Sequence, residues 1–294
     1  MANAPKPNAA KKESSATASN LFAALVIPIC LIIGAALFIF VLGKPSNFDI
    51  PEDVLKNNSS WSLAFFNDDT HAFQPFPGNY GGMAFKGGVI VPILMGMFLM
   101  VWVFSIERFI VIGKATGKGA LDTFVQKVQS LLSGGKIQEA IAECDKQEGS
   151  VANVIKSGLK KYGEVENDNR LDAEQSVVAI QKDIEEATAL EMPMLEKNLT
   201  IVATLVSVGT LVGLLGTVTG MIKAFGGLAN SGAPDQAALA TGISEALINT
   251  ATGIGTSTVA LIMYNILTSK IDKLTYAIDE AGFSIIQTYA STHK

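Results

Sequence analysis

Residues 237–267 read AALATGISEALINTATGIGTSTVALIMYNIL and contain a single charged side chain, Glu245. An apolar run of this length exceeds the ~20 residues a helix needs to cross a bilayer core. Three other stretches meet the same condition: about Leu21 to Leu42, Gly87 to Ile106 and Leu199 to Ile222. The chain has 294 residues, is 49% hydrophobic and only 17% charged. Soluble domains carry about a quarter charged residues. The apolar residues are also gathered in blocks, so the sequence predicts an all-α membrane protein with four transmembrane helices and long cytoplasmic helical extensions.

The first run is longer than the ~7–15 residues of a signal-peptide core, and its alanines lie inside it. It is expected to stay as an uncleaved helix. Positive charge near helix ends sets orientation. Lys6, Lys11 and Lys12 precede the first run, Arg108, Lys114 and Lys118 follow the second, and Lys270 and Lys273 follow the fourth. The stretch between the first two runs carries Asp49, Glu52, Asp53, Asp68 and Asp69 with Trp61, Phe65, Phe66, Phe73, Phe76 and Tyr80. The connection near Asn230 to Gln236 carries Asp235 and no Lys or Arg. Both termini are therefore expected in the cytoplasm.

The expected layout is as follows. A disordered cytoplasmic tail covers 1–20, an N-terminal transmembrane helix 21–42, a periplasmic segment 43–86 and a second transmembrane helix 87–112. A cytoplasmic helical region covers 113–197, a third transmembrane helix 198–228 and a short periplasmic loop 229–236. The fourth transmembrane helix is 237–268, followed by a cytoplasmic C-terminal helix, 269–294. Within 113–197, Leu121, Phe124, Val128, Leu131 and Leu132 recur at helical spacing until Gly134-Gly135, and Ile137, Ala140, Ile141 and Cys144 resume it. A further stripe runs through Val177, Ile180, Ile184, Ala187 and Leu190, with Pro193 interrupting it.

Several function classes lose support at once. The net charge of −5 and the lack of a basic stripe speak against nucleic acid. Cys30 and Cys144 form neither a disulfide framework nor zinc spacing. His71 and His293 are too few and too scattered for an imidazole centre. No metal, cofactor or catalytic set is expected, and no enzyme. Paired broken helices of the secondary-transporter kind are also missing.

Glu245 carries the functional reading. An ionised carboxylate in hydrocarbon costs several kcal/mol and faces a bundle interior or a wet cavity. It lies about eight residues into its run, roughly 12 Å deep at 1.5 Å per residue. Counting from it, Thr241, Asn249, Thr252 and Thr256 fall on one helical face, with Thr250 and Ser257 beside them. Threonine hydroxyls in membrane helices often bond only to their own backbone. A whole stripe below an acid reads as a hydrated, proton-conducting seam. The other class of reading is a scaffold in which Glu245 merely pins helix register. In the third run, Gly209, Gly213, Gly216 and Gly220 share a face by offsets of four, three and four, a close-packing device. Thr210 and Thr217 form a sparse polar row beside it, and Lys223 at the outer end is expected to snorkel to headgroups.

Gly213-Leu-Leu-Gly-Thr-Val-Thr-Gly-Met221 and Gly242-Ile-Ser-Glu-Ala-Leu-Ile-Asn-Thr250 together resemble two core helices of the ExbB/TolQ/MotA family, closest to ExbB. Ile106-Glu-Arg108 and Leu190-Glu-Met-Pro-Met-Leu-Glu196 resemble that family's landmarks at the edges of its cytoplasmic region. The resemblance covers roughly Gly87 to Lys273. It implies an inner-membrane homopentamer, a ring-like oligomer enclosing the single helices of two ExbD-like subunits, each with an Asp. Protons would pass between that Asp and a lining of Glu245, Thr217 and Thr250, driving a TonB-like protein. A TolQ- or MotA-like stator for envelope maintenance or motility is the alternative output. The chain departs from the family in two places: Thr210 stands where members commonly have Pro, and the first apolar run is additional to a three-helix core.

Overall fold

The computed structural model describes residues 9–57, 62–65, 73–167, 170–230 and 236–293, and side chains at 9–20, 65, 227–230 and 237–238 are not considered. The sequence readings at Lys6, Trp61, Phe66, Asp68, Asp69, His71 and Asp235 fall outside the described residues. So does the side chain of Phe65.

Among the described residues the chain is helical apart from one short strand pair. Helix α1 (Ala9–Leu37) continues into one π-helical turn, Phe38–Leu42. The short strand β1 (Phe48–Asp49), helix α2 (Glu52–Asn57), strand β2 (Gln74–Pro75) and helix α3 (Tyr80–Phe85) follow. Then come α4 (Ile90–Thr116), α5 (Leu121–Ser133), α6 (Ile137–Gln147), α7 (Gly149–Glu166) and α8 (Ala173–Glu196). Helices α9 (Leu199–Asn230) and α10 (Gln236–Thr292) complete the order. Among the described residues four helices are long and apolar enough to cross a membrane: α1 with its π-helical turn, α4, α9 and α10.

Two boundaries differ from the sequence reading, and one element continues through its proline. Helix α1 reaches back to Ala9, into the stretch expected to be a disordered tail. No break separates a fourth transmembrane helix from a C-terminal one, because α10 is a single helix of 57 residues. Its apolar spacing simply continues past the membrane stretch. Pro193 does not end α8, which runs to Glu196. Lys197 N–H still bonds to the Pro193 carbonyl, and the turn comes at Asn198, whose φ is +63°.

The chain forms two compact units. The first comprises residues up to Phe104 together with 201–262. In it α1 lies against α4 through two glycines. A Cβ on Gly34 would sit 2.6 Å from the Gly96 nitrogen, and one on Gly96 would sit 2.9 Å from the Leu31 Cα. Phe22 meets Phe104 edge to face, and Cys30 is buried. The segment between α1 and α4 has its own small core of Phe48, Ile50 and Leu63, against which Phe73 and Phe85 pack. Strand β1 pairs antiparallel with β2, Phe48 opposite Pro75. Of the aromatic side chains read as an interfacial set, Phe76 and Tyr80 are exposed.

The second unit comprises residues 105–200 and 263–294. Helices α5 to α8 and the C-terminal half of α10 bury one apolar core, including Phe124, Val128, Leu159, Ile180 and Ile184. From α10 it takes Leu267, Ile271, Leu274, Ile278, Ala281 and Ile285, at alternating offsets of four and three. That spacing is a single helical stripe. In α8 the stripe stops short of expectation, since Leu190 is exposed. Asp172 caps α8 by accepting from the Gln175 N–H at 2.7 Å, and Gln175 returns the bond.

Arg108 is the most buried cation of this unit, 3% exposed. It pairs with Glu107 and donates from Nη1 to the Met194 carbonyl at 3.1 Å. The two landmark segments Ile106–Arg108 and Leu190–Glu196 are thus tied by one guanidinium. Arg108→Met is expected to lower stability by about 3 kcal/mol, since it strands a carboxylate and a carbonyl. Arg108→Lys should recover only part, because an ammonium lacks the planar fork. Thermal midpoints in detergent check both.

Cys144 lies in the same core, and its thiol is pushed up from 9.0 to about 12, first by burial and then by Asp145. A folded pKa above the unfolded one favours the fold fully below about 9, and that contribution is lost as pH rises toward about 12. Thiolate is the nucleophile. In a Cys30→Ser background, maleimide labelling of the native protein should therefore be roughly 10³-fold slower than after denaturation.

Candidate functional site

Helices α9 and α10 approach closely enough to bury a carboxylate because small residues line their contact. A Cβ on Gly209, Gly213, Gly216 or Gly220 would lie 2.6, 3.1, 2.3 or 2.8 Å from an atom of α10. The atoms met are those of Ser257, Asn249 and Ala246, along with the Gly242 carbonyl. From the other side, Gly253 abuts the backbone of Gly209 and Gly213. Thr210 adds one polar tie, its hydroxyl bonding that of Ser257 at 2.9 Å.

Glu245 sits at the outer part of this contact and is 4% exposed. Its Oε1 accepts from Lys223 Nζ on α9 at 2.6 Å. Snorkelling was the expectation for Lys223; instead its ammonium is turned toward the acid. An opposite charge a few ångströms away offsets part of the cost of holding a carboxylate among apolar helices. The Lys223 side chain keeps 55% of its surface exposed, against 5% for Glu245.

The turn before α4 closes the other side. Gly88 has φ +76°, and a Cβ there would fall 2.3 Å from Glu245 Oε1. Backbone thus abuts the carboxylate where any side chain would collide with it. One turn along α10, Asn249 is fully buried and donates from Nδ2 to the Gly87 carbonyl at 2.9 Å. Its Oδ1 is buried without a hydrogen-bond partner. Gly216 makes the room for this amide.

Below Asn249 the polar face continues through Thr252 and the buried Thr256. Their hydroxyls donate back to their own helix, Thr252 to Ile248 O at 2.8 Å and Thr256 to Thr252 O at 2.9 Å. Thr250 does the same to Ala246 O at 3.2 Å. Thr217, half-buried on α9, bonds Leu214 O at 2.6 Å. The structure therefore brings Glu245 and Asn249 together with the Gly87-Gly88 turn. Among the described residues no hydroxyl of this threonine set donates to another's hydroxyl, since each is turned onto a backbone carbonyl of its own helix. Sequence reasoning missed Lys223 as a partner and the turn as a wall. A readable signal existed for the first: one lysine and one acid at the same ends of consecutive apolar runs.

Two helices long and apolar enough to cross a membrane thus hold one buried acid countered by one lysine. Residues 146–280 match the family model described as MotA/TolQ/ExbB proton channel family. The Tol-Pal system protein TolQ of Pseudomonas aeruginosa is 29% identical over 175 residues, which cover 59% of this chain and 74% of that protein. A putative biopolymer transport protein ExbB homolog of Methanothermobacter thermautotrophicus is 26% identical over 64% of this chain and 62% of its own length. The biopolymer transport protein ExbB of Pseudomonas putida is 26% identical over 54% of this chain and 48% of its own length. The family likeness rests on residues 146–280, just under half of the chain, a region that holds α9, the site's half of α10 and most of the second unit.

Proposed function

We propose that this chain is the proton-conducting stator subunit of an ExbB–ExbD type motor in a bacterial inner membrane. Five copies form a ring around two single-span, ExbD-like subunits, each bearing an Asp. Both termini lie in the cytoplasm, which places 43–86 and the α9–α10 connection in the periplasm and 113–197 and 269–294 in the cytoplasm. Protons pass between the partner's Asp and a lining of Glu245, Thr217, Thr250, Asn249, Thr252 and Thr256. The motion is handed to a TonB-like protein that serves outer-membrane transport. No bond-making chemistry, cofactor or nucleic acid takes part.

The observation that carries this reading is the burial of Glu245 between two apolar helices. A carboxylate there changes protonation only through a defined route, so its charge state answers to voltage. One proton crossing 100 mV releases about 2.3 kcal/mol, and several supply enough work to reorganise a protein contact. A TolQ-type output is the second reading, supported by the 29% identity to the Pseudomonas aeruginosa TolQ and the 74% of that protein's length that is matched. Purifying the complex from native membranes tests both. A single-span subunit with an intramembrane Asp should co-purify. Loss of energised uptake on deleting the gene supports the ExbB output, and leaky envelopes support the TolQ one. A complex with no single-span acidic partner overturns the motor altogether.

A further inference from the structure

We propose that Lys223 is a tethered cation that makes the Glu245 site proton-selective by occupying the place a metal ion would need. This rests on the proton-conducting reading above and adds the residue that decides which ion is accepted. Three observations converge. The Lys223 ammonium sits 2.6 Å from Glu245 Oε1, so the buried carboxylate already has its counter-charge. The Gly88 backbone closes the same oxygen from another side. One turn away, Asn249 Oδ1 is a buried oxygen with no partner.

Sodium coordinates several oxygens at once, and a carboxylate with a neighbouring amide oxygen is a fair start for such a site. With Lys223 in place, sodium must either displace the ammonium or join it. Joining puts two positive charges on one acid between apolar helices, where Coulomb repulsion is weakly screened. A proton has no such conflict. It forms an O–H bond on the carboxyl, the ion pair is released, and the ammonium keeps its own protons. Because more than half of the Lys223 side chain is exposed, the freed ammonium has room to turn away from the carboxyl. Loss of the proton re-forms the pair. Lys223 is thus a specificity residue that acts on Glu245 and does not itself carry the transported proton.

The test uses the full chain, co-expressed and purified with its native partner subunits and sealed into vesicles. Proton entry is followed with a pH-sensitive dye and sodium entry with radioactive sodium. Wild type and Lys223→Arg should pass protons and no sodium above the Glu245→Gln background. Lys223→Met should admit sodium at least about tenfold above wild type, since a buried, unpaired carboxylate recruits any cation within reach. Adding Glu245→Gln to Lys223→Met should remove that sodium signal. A second measurement needs no flux: at alkaline pH, sodium should raise the thermal midpoint of Lys223→Met and leave wild type unmoved. Lys223→Gln is run beside it in case the methionine variant is unstable. Sodium entry in wild type, or a folded Lys223→Met or Lys223→Gln with neither sodium entry nor a sodium-dependent midpoint, overturns the proposal. Undiminished proton entry in Glu245→Gln overturns the proton-conducting reading instead, and the midpoint measurement still judges Lys223.

Discussion

Glu245→Gln is expected to abolish voltage-driven proton entry, by roughly 10²-fold or more, while the complex assembles at near wild-type yield. The magnitude follows from replacing a group that exchanges a proton with one that cannot, a change that removes 10²–10⁴-fold in general acid–base steps. The structural side of the expectation comes from shape. Glutamine has nearly the same volume and shape, so it still fits against the Gly88 backbone. Its amide oxygen can still accept a hydrogen bond from Lys223, whose half-exposed side chain also has room to turn away from the site. Folding is therefore little disturbed, and the loss is functional. Proton flux in sealed vesicles and the yield of purified complex are the two measurements. Normal flux through the variant, with normal yield, would leave Glu245 as a helix-register pin only. Glu245→Asp is a useful companion, because it keeps the charge and shortens the reach to the lysine.

What the sequence made legible here was whatever has a short-range signature. The four apolar runs, the glycine face of α9 and the isolation of Glu245 are periodic or compositional, and each maps onto a helix or a helix contact. Pro193 interrupts the apolar stripe but not the helix, since α8 runs on to Glu196. The length of α10 was also hidden, because its apolar stripe changes partners along the chain without a break in helical spacing. Two features of the site depend on contacts between distant positions, which single-chain periodicity does not encode. Lys223 and Glu245 are 22 residues apart, and Asn249 and Gly87 are 162 apart. The sequence reading starts the second apolar run at Gly87 and gives Gly88 no role. Only the positive φ at Gly88, with the acid lying against it, gives that residue its place in the site.

The second large effect concerns the contact on which the site is built. Gly253→Ala is expected to destabilise the protein by about 1–3 kcal/mol, the usual range for overpacking a close contact. Its added methyl would lie 2.7 Å from the Gly209 carbonyl oxygen and 2.8 Å from the Gly213 Cα. Both are backbone atoms, so no side chain can rotate away and the two helices must part. In a membrane the helices have little hydrophobic drive to re-close, and packing itself holds them. Gly255→Ala is the control, two residues on, where a Cβ meets nothing within 4 Å. There alanine replaces a poor helix former with the best one, and stability should hold or rise slightly. A thermal midpoint that falls for Gly253→Ala and not for Gly255→Ala locates the effect in the α9–α10 contact. Parting these helices also loosens Lys223 from Glu245, so the Gly253 variant should lose proton selectivity before it loses its helical signal. Equal midpoints for the two variants would mean that the glycine face is not what holds the acid in place.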